Sequence, residues 1–165
     1  MTSEPEPSTW TPLSVAALAY AGAATVASIV SIRDEVPGRP FGIGVPLSVP
    51  VALAVGWGSG IAPPWPMPVA VLVAASRARW GHRRAAAVAS AIGAASVMGH
   101  LIEPVTWRRD EWTPLAVMAS ATMITAAAAL AVTGALTYRS MGREERVRVI
   151  VAEPTTREPS YTTSA

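Results

Sequence analysis

The amino-acid sequence predicts an all-α fold, an integral membrane helical bundle with five transmembrane helices, and three observations lead to this prediction. Charged residues make up only 15% of the 165 residues, and four long stretches carry no charge at all. All six tryptophans fall near the ends of the predicted spans, where indole rings favour the headgroup level. The arginines concentrate in the segments that connect or follow these spans.

The absent residue types exclude several kinds of chemistry. Lys, Cys, Asn and Gln do not occur in the chain. Without lysine there is no Schiff-base site and no P-loop, and without cysteine there is no disulfide, thiolate nucleophile or iron–sulfur cluster. We therefore expect no such cofactor.

The uncharged stretches determine the membrane assignment. They cover residues 7–32, 40–76, 85–102 and 113–138. A helix needs about 20 mostly apolar residues to cross ~30 Å of hydrocarbon, whereas a soluble amphipathic helix would carry charges along its wet face. We predict a polar N-terminal tail over residues 1–10, a transmembrane bundle over 11–138, and an Arg-rich, then disordered cytoplasmic tail over 139–165.

The second uncharged stretch makes the number of spans difficult to predict. Its 37 residues would extend ~55 Å as one straight helix, and Pro63-Pro64 cannot lie inside a helix. We therefore divide this stretch into two short spans. The five predicted spans are about 11–32, 41–61, 66–80, 85–106 and 113–138.

The arginine distribution sets the predicted orientation. Cytoplasmic loops are enriched in basic residues, and five spans with the N-terminus outside place ten arginines inside and two outside. The alternative has four spans, with part of 40–76 re-entrant or along the outer surface, and gives a ratio of eight to four. Both place the C-terminus in the cytoplasm. Arg77, Arg79, Arg83 and Arg84 are interpreted as topology determinants that contact lipid headgroups rather than nucleic acid.

A cleaved signal peptide is a competing interpretation of the first span. Such a peptide begins with a positive region, whereas the first ten residues contain Glu4, Glu6 and no arginine. Cleavage after Ala19-Tyr20-Ala21 is the minor alternative.

His100 and Glu103 are the ionisable residues predicted at membrane depth. Their i, i+3 spacing places them on one helical face, and intramembrane carboxylates are functional candidates by default. One interpretation is a pair that shares a proton in a carrier. The other makes His100 a buried, hydrogen-bonded packing residue and Glu103 an interfacial residue that pairs with Arg108 or Arg109.

Other catalytic and metal sites find little support. Ser96 lies one turn before His100, but no oxyanion hole accompanies this Ser–His–Glu line. A zinc centre needs three or four ligands, and His82 and His100 are predicted on opposite sides of the membrane. We expect no catalytic residue and no metal ligand.

Small residues predict how the helices associate. In lipid, helices attract one another chiefly where small side chains let the backbones approach. Such series predict a tight bundle and a homo-oligomer contact. The main series are Ala19/Ala23/Ala27, Gly56/Gly60, Ala70/Ala74, Ala91/Ala95/Gly99 and Ala127/Ala131/Ala135.

In composition and layout the chain resembles small Ala- and Arg-rich multi-span membrane proteins of high-G+C Gram-positive bacteria. Lys, Asn and Gln, which are missing from the chain, have codons that lean toward A and T, and their absence fits such a source. The resemblance implies a plasma-membrane location. The sequence predicts a non-enzymatic structural or accessory bundle, with the lipid bilayer and a second copy or another membrane protein as partners. The alternative is a small transporter or proton-linked carrier that uses Glu103 and His100.

Overall fold

The computed structural model describes residues 11–103 and 112–152, and these residues form helices without any β-strand. The all-α class is therefore confirmed for this part of the chain. A 3₁₀ turn at Pro40–Gly42 accompanies the α-helices. The α-helices are α1 (Pro12–Arg33), α2 (Val49–Val55), α3 (Pro66–Arg79), α4 (Arg83–Ile102) and α5 (Pro114–Ala152).

Helices α1 and α5 begin with the same local signature. Thr11 and Thr113 are each followed by proline, which suits the first helical position because its missing N–H has no intrahelical partner there. The Thr11 Oγ1 accepts a hydrogen bond from the backbone N–H of Ser14 at 3.1 Å, and the Thr113 Oγ1 accepts one from Ala116 at 3.2 Å. These caps fix the start of both helices.

The four long helices, α1, α3, α4 and α5, run antiparallel in chain order. At one end, the Thr113 hydroxyl before α5 donates to Asp34 Oδ2 after α1 at 2.7 Å. At the other end, Arg83 Nε at the start of α4 donates to the carbonyl oxygen of Tyr138 at 3.2 Å. We call the first the cap end, because residues 34–65 close it, and the second the arginine end. Residues 34–65 are called the capping segment.

Backbones of α4 and α5 are in direct contact near the middle of the bundle. A Cβ atom placed on Gly93 would lie 2.6 Å from the Ala131 nitrogen and 2.7 Å from the Ala127 oxygen. One placed on Gly134 would lie 2.8 Å from the Ser90 nitrogen. The Ser90 hydroxyl donates to the Ala131 carbonyl at 2.8 Å. Small residues thus permit the close approach, as expected for helices that associate without a strong hydrophobic drive.

The series of small residues predicted from the sequence coincide only in part with the helix faces that are in contact. Ala23, Ala27 and Ala127 are buried, but Ala91 and Ala95 are exposed. None of the three residues in the series predicted on α4 is buried, and Ala95 and Gly99 line a cavity between this helix and residues 34–65. The packed face of α4 lies beside this series and consists of Ala86, Ala89, Gly93, Ser96 and His100.

Three described helices are long and apolar enough to cross a membrane: Pro12–Arg33, Arg83–Ile102 and Pro114–Val147. The single helix predicted at 41–61 is wrong, because only the seven residues of α2 are α-helical there. Gly56 ends α2 in the left-handed conformation with φ +97°, which glycine adopts without steric cost. The bundle therefore does not support five crossing helices.

The last helix extends beyond the end predicted for the last span. Helix α5 continues past Tyr138 to Ala152, whereas the predicted span ends at residue 138 and an Arg-rich, then disordered tail is predicted over 139–165. The last fourteen residues of α5 carry six charges. Arg, Glu, Met and Ala all favour helix, so these charges are compatible with a continuing helix. The remaining predicted tails, 1–10 and 153–165, lie outside the described residues.

Candidate polar site at the cap end

A compact turn in the capping segment presents backbone oxygens to the bundle. The Ser59 hydroxyl lies 2.7 Å from that of Ser31 on α1 and accepts a hydrogen bond from the Ala62 N–H at 2.9 Å. The Ser59 N–H donates in turn to the Ala62 carbonyl at 2.9 Å. Gly58 has φ +82°, and a Cβ on it would lie 3.1 Å from the Ala62 oxygen. The turn is therefore tied to α1 and carries Ile61 toward α4.

His100 is buried and touches two backbone carbonyl groups. Its Nδ1 lies 2.8 Å from the Ser96 oxygen one turn back on α4, and its Nε2 lies 3.2 Å from the Ile61 oxygen in the capping segment. A carbonyl oxygen only accepts hydrogen bonds, so each ring nitrogen needs a proton to donate to it. A neutral ring makes one of these bonds at a time, whereas an imidazolium makes both.

Glu103 follows the last residue of α4 and is only 6% exposed. Both of its carboxylate oxygens lie 3.0 Å from the backbone nitrogen of Arg39, whose N–H donates to them. The side chains of His100 and Glu103 therefore bind two separate points of the capping segment. The predicted pairing of Glu103 with Arg108 or Arg109 lies outside the described residues.

A cavity of about 160 Å³ separates the capping segment from α4. Both His100 and Glu103 line it, although Glu103 follows the last residue of α4 and has an extended backbone. Ser59, Trp57 and Met67 contribute to the opposite wall. The site thus combines a carboxylate, an imidazole and two hydroxyl groups beside an aromatic ring and a thioether.

Ser96 does not complete a hydrolase-like line with His100 and Glu103. Its hydroxyl shares a 2.7 Å hydrogen bond with the Tyr20 hydroxyl of α1, while the imidazole contacts its backbone oxygen instead. Tyr20 is fully buried and was not among the residues selected from the sequence. Its polar tip in the middle of an otherwise apolar predicted span was the available signal, because a buried tyrosine hydroxyl requires a partner.

Within residues 11–103 and 112–152, no group of three or more His, Asp or Glu side chains is placed to hold a metal ion. His82 precedes α4 and His100 lies near its end, so the two imidazoles are separated by the length of the helix.

The four loop arginines occupy two different environments at the arginine end. Arg77, Arg79 and Arg84 are exposed. Arg83 is half-buried, and its guanidinium carbon lies 4.0 Å from the centre of the Tyr138 ring, a cation–π contact. Arg83 therefore links α4 to α5. Its 3.9 Å ion pair with Glu145 involves the part of α5 that extends beyond the predicted span 113–138.

Comparison with known proteins identifies no family for this chain. No protein-family model matches it, and no match is found among curated proteins or solved structures. Its function must therefore be inferred from the described residues.

Proposed function

We propose that the chain is a multi-pass plasma-membrane protein with four crossing helices, and that it serves as a non-enzymatic structural or accessory bundle. One observation carries the structural role: His100 in the last turn of α4 and Glu103 directly after this helix bind the backbone of the capping segment. Their polar atoms thereby hold the fold together at the cap end.

The fourth crossing is assigned to α3. Helices α1 and α4 run in the same direction, so the chain must return through the bundle between them, and α3 is the helix that does so. Its 14 residues extend ~21 Å, less than the ~30 Å hydrocarbon core. Residues 34–65 cover the remaining depth at the cap end, in line with the re-entrant or interfacial alternative. Local thinning and side-chain snorkelling accommodate what mismatch remains.

Charge asymmetry orients this bundle with the arginine end in the cytoplasm. The described arginines of the cap end are Arg33 and Arg39. With four crossings the N-terminus lies on the cytoplasmic side too, which replaces the outside N-terminus of the five-span prediction. The described arginines of the arginine end are Arg77, Arg79, Arg83, Arg84, Arg139, Arg143, Arg146 and Arg148.

Single-cysteine labelling tests this topology, and the chain contains no native cysteine. Glu35→Cys lies in an exposed position of the capping segment, and Ser140→Cys lies in an exposed position of α5. A membrane-impermeant thiol reagent should label Glu35→Cys in intact cells and Ser140→Cys only after permeabilisation. Labelling of Glu35→Cys only after permeabilisation would restore the five-span orientation. Recovery of the protein in the soluble fraction without detergent would refute the membrane proposal altogether.

A proton-linked carrier is the second candidate, and the cavity beside His100 and Glu103 favours it. Its test compares the wild type with Glu103→Gln in proteoliposomes that carry a pH-sensitive dye. A carrier should move protons, and the Gln variant should lose that movement while Tm stays within a few degrees. If the wild type moves no protons, the structural role stands. If His100→Ala and Glu103→Gln retain full transport, the carrier proposal fails at these residues.

A further inference from the structure

A groove of about 360 Å³ lies between α3 and α4 at the arginine end. Its lining divides into an apolar wall and a basic mouth. The basic groups are Arg77, His82 and Arg84, and all three are exposed. The apolar wall consists of Ala70, Val73, Ala74, Ala85 and Val88.

Helical spacing places the basic groups directly beyond the apolar wall. Arg77 follows Val73 by one turn on α3, and Arg84 precedes Val88 by one turn on α4. A tight turn joins the helices, with Gly81 at φ +84° and the His82 N–H bonded to the Arg77 carbonyl at 3.2 Å. Two guanidinium groups from different helices therefore lie at the mouth of one groove.

These guanidinium groups are available for a ligand. The ion pairs of the described chain are Arg33 with Asp34 and Arg83 with Glu145, so neither Arg77 nor Arg84 has an acidic partner among the described residues. No acidic side chain lines the groove. The mouth thus carries two formal positive charges above an apolar wall, and the complementary ligand has an anionic head and a hydrocarbon tail.

We propose that this groove binds one anionic phospholipid, with its phosphate between Arg77 and Arg84 and an acyl chain against Val73 and Val88. Arginine forms paired, charge-assisted hydrogen bonds with phosphate oxygens, and basic pockets between transmembrane helices on the cytoplasmic side bind anionic headgroups. His82 adds a third hydrogen-bonding group at the mouth.

An interfacial residue adjoins the mouth of the groove. Trp80 is 71% exposed in the turn between α3 and α4, and indole rings favour the headgroup level of a membrane. In the proposed placement the mouth therefore lies at the level of the lipid phosphates.

The binding experiment uses native mass spectrometry of the full chain in detergent micelles, with phosphatidylglycerol and phosphatidylcholine of equal chain length. We expect one phosphatidylglycerol per chain and a preference over phosphatidylcholine of about 30-fold for two arginine contacts. Arg77→Gln/Arg84→Gln should abolish this preference. Arg143→Gln/Arg146→Gln is the matched control, because it removes two exposed charges from the same end outside the groove, and it should keep the preference.

The results distinguish a specific lipid site from diffuse attraction between the arginines and anionic headgroups, and from a site that binds phosphate alone. Equal losses in the two double variants, or equal binding of both lipids by the wild type, would overturn the proposal. Dodecyl phosphate should displace phosphatidylglycerol at concentrations where inorganic phosphate does not. If inorganic phosphate competes as well as dodecyl phosphate, the apolar wall contributes nothing and the lipid assignment is wrong.

The inference rests on the proposed membrane placement, but its failure can be recognised separately. Cell fractionation and cysteine labelling test the placement and do not depend on Arg77 or Arg84. If the protein is bound to the membrane but does not prefer phosphatidylglycerol over phosphatidylcholine, only the lipid-binding proposal for the groove is refuted. Soluble protein would refute the placement and, with it, the lipid proposal.

Discussion

The contact between α4 and α5 makes a quantitative prediction for Gly93→Ala. The added methyl carbon would lie 2.6 Å from the Ala131 nitrogen and 2.7 Å from the Ala127 oxygen. Both are backbone atoms of α5, so no side-chain rotation can relieve the overlap. The two helices must separate, and this also stretches the 2.8 Å hydrogen bond from the Ser90 hydroxyl to Ala131.

The expected loss of stability follows from two opposing effects. Overpacking a closely packed contact costs ~1–3 kcal/mol, and overlap with the backbone of two α5 residues, Ala127 and Ala131, places this contact in the upper part of that range. Alanine regains up to ~1 kcal/mol of helix propensity over glycine. We therefore expect a net decrease of about 1–2 kcal/mol in the free energy of unfolding.

The same helix provides a matched control. A Cβ on Gly99 of α4, or on Gly22 of α1, would meet no atom within 4 Å, so alanine at either position should leave stability unchanged or slightly raised. The assay is unfolding of purified protein in mixed micelles with increasing dodecyl sulfate, followed by circular dichroism. If Gly93→Ala and Gly99→Ala unfold at the same midpoint, close backbone approach does not stabilise this bundle and the packing argument fails.

Two further predictions concern the cap end. Ser59→Ala should make the capping segment more sensitive to limited proteolysis, because the buried N–H of Ala62 loses its acceptor. Ser48 is exposed and makes no side-chain cap hydrogen bond, so the Ser48→Ala control should be cleaved at the wild-type rate. Equal cleavage rates in all three proteins would contradict the role of Ser59. Hydrogen bonds from Arg33 and then Thr113 hold the pKa of Asp34 below its ordinary value near 3.8, so its stabilising effect is complete above that value and is lost as the pH falls through the lower, folded-state pKa. The Tm measured between pH 7 and pH 2 should therefore fall less in Asp34→Asn than in the wild type. Identical dependence of Tm on pH in the two proteins would exclude this contribution of Asp34.

The long helices could be predicted from the sequence because two local signals agree. The predicted segment 11–32 corresponds to Pro12–Arg33, and the predicted start at residue 113 corresponds to Pro114. In both cases a Thr-Pro pair lies within the first six residues of an uncharged run, so capping chemistry supports the boundary that hydropathy indicates. Charge alone was less informative at the other end of α5, where the helix outlasts the apolar stretch.

The capping segment could not be predicted in this way because distant contacts determine it. Arg39 and Glu103 are 64 residues apart, and Ile61 and His100 are 39 apart. Hydropathy places 41–61 among the transmembrane candidates, since it measures apolar content and not hydrogen-bond partners. His100 and Glu103 could be selected from the sequence as a polar pair, but their backbone partners Ile61 and Arg39 could not be identified from it.

The hydrogen bonds of His100 and Glu103 match what the non-helical backbone of the capping segment requires, namely partners for its polar groups. Non-helical backbone at membrane depth is tolerated only where protein or enclosed water satisfies its polar groups. Leaving one buried donor or acceptor unpaired costs ~1–3 kcal/mol. In the proposed placement the carboxylate receives the Arg39 N–H, and the imidazole faces the Ile61 oxygen. Ionisable residues near the end of an apolar helix are therefore accounted for by the segment they hold, and transport chemistry needs evidence beyond their presence.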